Sequence, residues 1–429
     1  MENKITLFWF RRDLRLEDNT ALHYALKSSN NVLPIFIFDD DILDSLPKDD
    51  ARVSFIHNTL ENINKELTEF RSSLVVKKGS TLVVWKALIE EHNIERVFFN
   101  KDYEPYAIKR DLEISKLLKS KGIETKSFKD QVIFEENDIL KNDNTPYTIY
   151  TPFKNKWLKK FDEKADVLNY EIDNTRFHKI NLTFPSLEDI GFTKSKILVK
   201  PYNLTALDRY DEVRNFPAQD QTSYLSPHLR FGLVSTRNMV KLALKTNAIF
   251  LSELIWREFF MQILFHFPKV VTENFKQKYD AIPWRNNEAD FKAWCEGRTG
   301  YPMVDAGMRE LNKTGYMHNR VRMITAGFLC KHLLIDWRWG EAYFAEKLLD
   351  YELSANNGNW QWAAGTGCDA APYFRVFNPA EQLKKFDKDA IYIRRWVEDY
   401  DELTYPQPMV EHKFARERAI STYKKALNP

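Results

Sequence analysis

The sequence predicts an α/β domain followed by an all-α domain. Three observations predict this order. Short apolar runs alternate with helical patterns in the first third of the chain, a polar stretch follows, and long amphipathic patterns fill the rest. At roughly 100–200 residues per domain, a chain of 429 residues has room for two or three domains. We place the α/β domain at 1–135, an inter-domain connector at 136–205 and the helical domain at 206–429.

The α/β domain is predicted from four apolar runs that are rich in β-branched and aromatic residues. They indicate buried parallel strands at 4–10, 31–38, 73–79 and 95–100. Helical patterns follow the strands, at about 19–28, 51–71, 81–92 and 106–121. Such a sheet binds ligands beyond the carboxyl ends of its strands. Residues 1–130 contain only Gly79 and Gly122, so there is no GxGxxG motif and no P-loop, and we expect no dinucleotide held by a glycine-rich turn.

The connector is rich in Asn, Asp, Thr and Pro and has weak periodicity, so we expect one short helix in it, near 151–162. Beyond residue 206 the strand pattern disappears. Amphipathic patterns then predict helices at 235–247, 252–266, 288–296, 302–313, 317–333, 339–350 and 389–399.

Composition restricts the class of protein. The chain has 63 Lys and Arg against 61 Asp and Glu, a net charge of +2, so any basic surface for nucleic acid must be local. Cys295, Cys330 and Cys368 are widely spaced, which predicts no metal site and a reducing compartment. No apolar run reaches the roughly 18 residues of a membrane span, and the N-terminus becomes charged too early for a signal peptide. We therefore expect a soluble, cytoplasmic protein.

The segment NNGNWQW, residues 356–362, combines two tryptophans with amide side chains. Eight of the eleven tryptophans lie between residues 256 and 396. Core packing explains most tryptophans, but a buried indole N–H needs a partner. Asn356, Asn357 and Gln361 could supply one, or could bind a planar heterocycle. We interpret NNGNW as a turn that lets a ring system approach the backbone.

Hydroxyl side chains precede a predicted helix in TSYLSPHLRFG, residues 222–232. Thr222, Ser223 and Ser226, with the free N–H groups of a helix N-terminus, would suit a phosphate. An ordinary capping turn explains the same residues.

The segment LSELIWREFF places Glu253, Trp256 and Arg257 on one helical face, together with Phe260. A carboxylate beside a tryptophan on a core-facing stripe needs a partner if it is buried. This face is therefore a candidate binding surface.

The segment GYMHNRVRM places Asn319, Arg322 and Met323 on one face of a second helix. Arg322 could pair with Asp350 in LLDYELS. Taken alone, that pair is better explained by a structural salt bridge than by a site.

Taken in order, these segments resemble the photolyase/cryptochrome family, and within it the class I photolyases that repair cyclobutane pyrimidine dimers (CPDs). The resemblance extends along the whole chain. The matching segments are WFRRDLRLEDN (9–19), TPFKNKW (151–157), TSYLSPHLRFG (222–232), LSELIWREFF (251–260), GRTGYPMVDAGMREL (297–311), MHNRVRM (317–323), LIDWRWGEAYF (334–344) and ANNGNWQWAAGTGCDAAPYFRVFNP (355–379).

The resemblance implies a Rossmann-like antenna domain, a connector and a helical domain that binds one FAD and DNA. Asn356 would face flavin N5, and Trp360 would begin an electron-transfer chain that runs through Trp337 to Trp284. The implied FAD-binding residues are Tyr210, Thr222, Ser223, Leu225, Ser226, Arg257, Arg322, Asp350, Glu352 and Asn356.

The implied activity is light-dependent repair of CPDs by an electron from photoexcited FADH⁻, which returns after the ring opens. The implied catalytic residues are Glu253, Asn319, Met323 and Asn356. DNA, with the dimer flipped out of the duplex, would contact Glu253, Trp256, Asn319, Arg320, Trp362, Arg375, Gln382 and Lys385. We expect a monomer that acts on DNA containing pyrimidine dimers. Lys384 and Lys385 could instead form an ordinary solvated helix end.

Other readings of the same segments remain open. A photolyase of the (6-4) type would need histidines where Asn319 and Met323 stand. A plant-type cryptochrome, a photoreceptor with little or no repair activity, would carry an acid at position 356 and lack Trp362. A protein without photochemistry could use the sheet alone to bind a nucleotide. The chain also departs from the family pattern at Tyr316, Glu352 and Cys368, which replace Trp, Asp and Thr.

A second, antenna chromophore is a separate question. The folate-binding members carry an Asn-Glu pair where this chain has Tyr106 and Ala107. Phe36, Arg52, Asp102 and Glu104 resemble the deazaflavin-binding type instead. We expect a deazaflavin or flavin-like antenna in preference to methenyltetrahydrofolate, and an empty site is the remaining alternative.

Overall fold

A computed structural model describes residues 4–427, which form two compact units. The first contains the chain up to Asp138 together with Lys159–Pro201 and Leu225–Lys245. The second contains Ile139–Leu158, Tyr202–Tyr224 and the chain from Thr246 onward. The first unit is built on a parallel sheet and the second on helices, so we call them the sheet unit and the helical unit.

Within residues 4–427 the strands form one parallel sheet in the order β3-β2-β1-β4-β5. Their bounds are β1 (Ile5–Phe10), β2 (Val32–Asp39), β3 (Val75–Gly79), β4 (Ile94–Asn100) and β5 (Glu124–Phe128). The predicted strands correspond to β1 to β4. The sequence pattern missed β5 because ETKSF, the edge strand, is polar and partly exposed and so lacks an apolar run. The strand order reverses between β1 and β4, where sheets of this type leave a crevice at the carboxyl ends.

The helices of the described chain are mostly short. In the first part of the chain, up to residue 246, they are α1 (Thr20–Ser28), α2 (Asp40–Leu43), α3 (Ala51–Glu69), α4 (Thr81–Glu91), α5 (Pro105–Ser120), α6 (Tyr150–Lys160), α7 (Glu163–Asp166), α8 (Tyr210–Val213), α9 (Ser226–Arg230) and α10 (Thr236–Thr246). They continue with α11 (Ala248–His266), α12 (Glu288–Cys295), α13 (Pro302–Thr314), α14 (Asn319–Gly327), α15 (Trp337–Lys347), α16 (Leu353–Ala364), α17 (Pro379–Phe386), α18 (Ile391–Trp396) and α19 (His412–Leu427).

The expected connector is divided between the two units. In the helical unit, the indole N–H of Trp157 donates to Glu258 Oε1 over 2.8 Å, which fastens α6 to α11. In the sheet unit, Arg237 of α10 donates to Asp130 Oδ1 over 2.9 Å and also pairs with Asp18. These ion pairs are buried and hold α10 in the sheet unit. The next helix along the chain, α11, belongs to the helical unit.

The helical unit differs from the predicted pattern at several places. The pattern did not predict α19, a helix of 16 residues. Within 317–333, where we expected one helix, the chain forms α14 followed by a π-helical turn, Phe328–His332. The segment NNGNW is part of α16, so the predicted turn is wrong. The helical conformation of this segment is explained by a tertiary contact with α11. A Cβ at Gly358 would collide with the ring of Phe260, so the glycine serves the close approach of α16 to α11.

Candidate functional site

Helix α11 presents Glu253, Trp256 and Arg257 on a partly exposed face, while the residues around them are buried. The helix begins at Asn247, whose side chain accepts hydrogen bonds from the N–H groups of Ile249 and Phe250. The structure therefore places these three residues together, as the spacing predicts. Phe260, expected on the same face, is buried against Gly358.

Each polar residue of this face has an oppositely charged partner. Arg214 donates to Glu253 Oε1 over 2.8 Å, and Arg257 Nε lies 3.5 Å from Glu352 Oε2. Glu352 is buried, and it immediately precedes α16. The pairing explains how carboxylates are tolerated beside an aromatic face.

Helix α14 carries Asn319, which is exposed, and Arg322 and Met323, which are partly exposed. Arg322 forms a bidentate pair with Asp350, with distances of 3.2 and 2.9 Å, and its Nε donates to the Met317 carbonyl over 2.8 Å. These three hydrogen bonds fix the orientation of the Arg322 guanidinium, so its positive charge has a fixed position.

His318 caps α14 and is a residue that the sequence pattern did not single out. Its Nδ1 accepts from the N–H of Arg320 over 3.1 Å. Burial, followed by the charges of Arg320, Arg322 and Arg214, lowers the pKa of His318 to about 4. The imidazole is therefore neutral at pH 7 and leaves the positive charge to the surrounding arginines.

Helix α16 packs against both α11 and α14 and carries the amide residues. Asn356 Nδ2 donates to the carbonyl oxygen and to Oε1 of Glu341, over 3.1 and 2.9 Å. Asn357 and Gln361 instead donate to the carbonyl of Val270, over 2.8 and 3.0 Å. Of the three amides, only Asn356 is partly exposed, so the other two hold a neighbouring loop and do not line the candidate site.

The tryptophans of the predicted electron-transfer chain lie in one region of the helical unit. Trp337 and Trp360 are buried in the same core, and Trp284 is partly buried against it. The indole N–H of Trp337 donates to Asn274 over 2.8 Å. Trp294, which the sequence pattern did not distinguish, lies with its ring 6.1 Å from that of Trp360. Trp362, two residues on, is partly exposed.

The predicted phosphate-binding residues do not all belong to one unit. Tyr210, Thr222 and Ser223 are in the helical unit, and the Tyr210 ring lies against Phe250 at 5.2 Å. Burial, with a smaller effect of Glu253, raises the pKa of Tyr210 to about 12. Leu225 and Ser226 belong to the sheet unit, where Ser226 begins α9, a helix of five residues.

The candidate DNA contacts differ in how firmly they are held. Arg320 donates to Asn215 Oδ1 over 2.5 Å, and its guanidinium lies 4.5 Å from the centre of the Phe386 ring. Burial, followed by the charges of Arg214 and Arg375, lowers the pKa of Arg320, so these arginines form one cationic group. Gln382 and Lys385 are on α17, partly exposed and exposed, and Lys384 pairs with Glu381 over 2.8 Å.

Comparison with known proteins decides the family. A family described as "DNA photolyase" matches residues 6–169, and one described as "FAD binding domain of DNA photolyase" matches residues 250–404. The chain is 36% identical to a deoxyribodipyrimidine photo-lyase of Agrobacterium fabrum over 97% of both chains. It is also 36% identical to the deoxyribodipyrimidine photo-lyase of Escherichia coli over 98% of both chains.

The chain belongs to the photolyase/cryptochrome family. Similar solved structures are a class III photolyase of Agrobacterium tumefaciens (TM-score 0.89, 34% identity, 100% of this chain and 99% of that chain) and an archaeal photolyase of Sulfolobus tokodaii with two FAD molecules (0.86, 36%, 98% and 100%). A Synechocystis cryptochrome is also similar (0.84, 26%, 98% and 100%). The predicted family and two-part fold are confirmed. A class III enzyme is among these structures, so the family is established without singling out class I.

The residues present fit the FAD that this family's helical domain binds. Arg257 and Arg322 each combine a fixed cation with a carboxylate, and Asn356 adds an oriented amide on the helix between them. Cations and amide groups of this kind suit a flavin ring and its phosphates. Among residues 4–427, no cluster of three or more His, Cys, Asp or Glu could hold a metal ion. In the same part of the chain no helix is long and apolar enough to span a membrane.

The residues expected at the family's antenna site lie in the sheet unit. Phe36 is buried in β2, and Arg52 pairs with Asp50 over 2.6 Å. Asp102 and Glu104 follow β4 and both accept from Arg12 Nη1, over 3.2 and 3.0 Å. Burial acts to raise the pKa of Asp102, but Arg12 and the neighbouring arginines outweigh it and hold that pKa at about 2.

Proposed function

We propose that the protein repairs CPDs in DNA in a light-dependent reaction that uses a bound FAD. The observation that carries the proposal is that α16 packs against both α11 and α14. Partly exposed side chains stand on each of these helices: Glu253 and Trp256 on α11, Met323 on α14 and Trp362 on α16. We infer that they form one surface, with the ion-paired Arg322 beside it. Relatives that carry the name deoxyribodipyrimidine photo-lyase match nearly the whole chain, which supports the same activity here.

A bound FAD in its reduced form would supply, on absorbing light, the electron that opens the cyclobutane ring, and the electron would return to it afterwards. We infer that Arg322, held by Asp350, and Arg257, held by Glu352, place positive charge beside the flavin. Asn356 would present its side-chain oxygen to the ring, because its side-chain nitrogen is hydrogen-bonded to Glu341. Within the helical unit, the residues proposed for the phosphates and ribose are Tyr210, Thr222 and Ser223.

The dimer would lie against the aromatic and acidic residues of the same surface. Trp256 and Trp362 stack on the pyrimidines, since base–aromatic stacking contributes about 1–3 kcal/mol per base. Glu253 would accept a hydrogen bond from an N–H group of the pyrimidine edge, and the ion pair with Arg214 keeps the carboxylate in place. Met323 and Asn319 complete the wall on α14.

The flanking phosphates would be bound by Arg320 and Arg375, with Gln382 and Lys385 beside them. Phosphate contacts of this kind position DNA without reading its sequence. Because Arg320 lies in a group of like charges, a phosphate there relieves repulsion as well as gaining an ion pair.

We infer that electrons reach an oxidised flavin from solution through Trp284, Trp337 and Trp360. All three pack in or against one core of the helical unit, which supports such a route.

The antenna chromophore is a separate proposal. A deazaflavin or flavin-like molecule suits the charged residues near Asp102 and Glu104 better than a folate, and an archaeal relative with two FAD molecules supports a flavin-like antenna. The alternative is that no antenna binds.

We further propose that the protein is a cytoplasmic monomer. Its cysteines are free, and burial raises the pKa of Cys295 to about 12 and of Cys368 to about 11, so they stay thiols in a reducing cell. Size-exclusion chromatography with light scattering would show a dimer if the monomer proposal were wrong.

The test is loss of CPDs from ultraviolet-irradiated DNA, under blue light with a reductant and in a dark control. We expect repair only in the light. Glu253→Gln should slow repair about tenfold, as the loss of one charged hydrogen bond does. Glu288→Gln, an exposed position on α12, should repair like the wild type. Flavin that is photoreduced without any repair would support a cryptochrome-type photoreceptor instead.

A further inference from the structure

Tyr150 stacks on a tryptophan of the candidate substrate surface from the side away from solvent. It is the first residue of α6 and immediately precedes the matching segment TPFKNKW. Its ring centre lies 3.6 Å from that of Trp256, and the two planes differ by 9°. Tyr150 is 5% exposed, whereas Trp256 is partly exposed. One face of the indole is therefore covered by the protein itself.

Hydrogen bonds hold both the hydroxyl and the backbone N–H of Tyr150. Its hydroxyl donates to the Ser252 carbonyl over 2.6 Å, and Ser252 is on the same helix as Trp256. Burial raises the pKa of Tyr150, so the hydroxyl remains protonated and keeps donating. Its backbone N–H donates to Asp369 Oδ2 over 2.9 Å, in the loop that also carries Arg375. A side chain held in this way has a single ring orientation.

The neighbouring rings restrict Trp256 further. Phe260 lies at 5.4 Å with a plane difference of 29°, and Phe259 meets the indole edge-on at 5.6 Å. Aromatic pairs favour offset stacks and edge-to-face contacts of this kind. The plane of the indole is set by these rings, and Tyr150 is the one parallel to it at contact distance.

We propose that Tyr150 is a positioning residue for the substrate. By covering one face of Trp256 it presents the other, at a fixed angle, to pyrimidines displaced from the duplex. A flat face that is already oriented binds a flat ligand more tightly, because less freedom is lost on binding. Through Asp369 the same residue also ties this face to the loop of Arg375. The proposal rests on the proposed repair function and concerns how the protein distinguishes damaged from undamaged DNA.

The experiment compares holoprotein variants for binding to two oligonucleotides of identical sequence, one with a single CPD. Tyr150→Leu removes the flat ring, Tyr150→Phe keeps it without the hydroxyl, and Phe153→Leu is the matched control. Phe153 is equally buried on the same helix and contacts Phe259 but makes no ring contact with Trp256 among the described residues. Fluorescence anisotropy gives the two dissociation constants, and absorbance gives the FAD content.

We expect Tyr150→Leu to weaken CPD binding about tenfold, or about 1.4 kcal/mol, while binding to undamaged DNA and FAD content stay as in the wild type. Tyr150→Phe and Phe153→Leu should stay within about threefold of wild-type CPD binding. Equal losses in Tyr150→Leu and Phe153→Leu, or equal losses on both oligonucleotides, would overturn the proposal because they indicate general damage to the fold. If Tyr150→Leu does not fold, Tyr150→Met gives the same comparison with a flexible side chain of similar volume.

A double-mutant cycle separates the positioning role from a direct one. In a Trp256→Leu background, Tyr150→Leu should have little further effect on CPD binding, because the ring that it orients is gone. A full additional loss in that background would contradict the proposal. If the wild type itself does not prefer the CPD oligonucleotide, the repair function is what fails, and the role of Tyr150 fails with it.

Discussion

The side-chain nitrogen of Asn356 donates to two oxygens of one residue, the carbonyl oxygen and Oε1 of Glu341, at 3.1 and 2.9 Å. Both hydrogen-bond donors of the amide are directed at α15, so its oxygen is the atom available to a ligand on the open side of α16. Burial raises the pKa of Glu341, and the hydrogen bond from Asn356 opposes that rise. Glu341 therefore holds the Asn356 amide with its oxygen directed away from α15, which is the orientation that the proposed contact with the flavin requires.

Replacing Glu341 should alter photochemistry before it alters folding. Glu341→Leu removes one of the two acceptors and leaves only the backbone carbonyl of residue 341 to hold the Asn356 amide. The amide is then oriented less firmly, so the light-driven repair rate should fall about tenfold, as expected when one oriented hydrogen bond is lost. Glu341→Gln keeps an oxygen acceptor and should stay within about threefold of the wild type. Single-turnover repair with equal FAD content in all samples measures this. Equal rates for the Leu and Gln variants would show that Glu341 does not orient Asn356.

Gly358 offers a test of the packing between α16 and α11. Alanine is favoured over glycine by about 1 kcal/mol in a helix interior, so on propensity alone Gly358→Ala should stabilise the protein. Because its Cβ would collide with the Phe260 ring, we expect a loss of about 1–3 kcal/mol instead. Asn359→Ala, at an exposed position of the same helix, should be neutral or slightly stabilising. Urea unfolding followed by tryptophan fluorescence compares them, and a more stable Gly358→Ala would refute this account.

Gly358 also shows what the sequence could and could not predict. Strand and helix periodicity located β1 to β4 and most helices, because those elements bury a continuous apolar face. Helix α16 has no such face. Its helical state depends on Asn357 and Gln361 holding the Val270 loop and on Gly358 meeting Phe260, which are long-range contacts invisible in a local pattern.

The candidate site was predictable where residues on one helix face act together, as for Glu253, Trp256 and Arg257. It was not predictable where partners come from distant segments. Nothing in the sequence near Asn356 indicates Glu341, and nothing near Trp256 indicates Tyr150. Such contacts require the fold, since only the fold brings α6 and α15 to these positions.

Trp360 should be required for photoreduction of oxidised flavin. Trp360→Phe keeps a ring that packs on Phe344 but is much harder to oxidise, so blue-light reduction with an external donor should slow at least about tenfold. Trp339→Phe is the matched control, because Trp339 packs on Phe291 and is outside the proposed chain. Absorbance at the oxidised flavin band records the rate. Wild-type photoreduction in Trp360→Phe would contradict the chain and direct attention to Trp294, whose ring centre lies 6.1 Å from that of Trp360.

Lys331 should give the helical unit a stability that rises with pH. It is 2% exposed in the π-helical turn, its Nζ donates to the Ala364 carbonyl over 2.7 Å, and it lies 3.7 Å from the centre of the Tyr423 ring. Burial lowers its pKa from 10.5 to about 7. Between these values the unfolded chain holds a proton that the folded chain has lost, so the free energy of unfolding increases with pH, by about 1.4 kcal/mol per pH unit at most.

Lys331→Met should remove this pH dependence while keeping the fold, because the Tyr423 hydroxyl still donates to the Ala364 carbonyl over 2.8 Å. Relative to that variant, the wild type should gain about 2 kcal/mol between pH 7 and pH 9. Below pH 7 both states of the wild type carry the proton, so the difference between wild type and variant should become constant there. Lys313→Met, at an exposed lysine of α13, should follow the wild type at every pH. Urea unfolding at pH 6, 7, 8 and 9 measures the three proteins, and parallel curves for the wild type and Lys331→Met would mean that Lys331 keeps its proton in the folded state, with the Tyr423 ring and the Ala364 carbonyl sufficient to stabilise a buried cation.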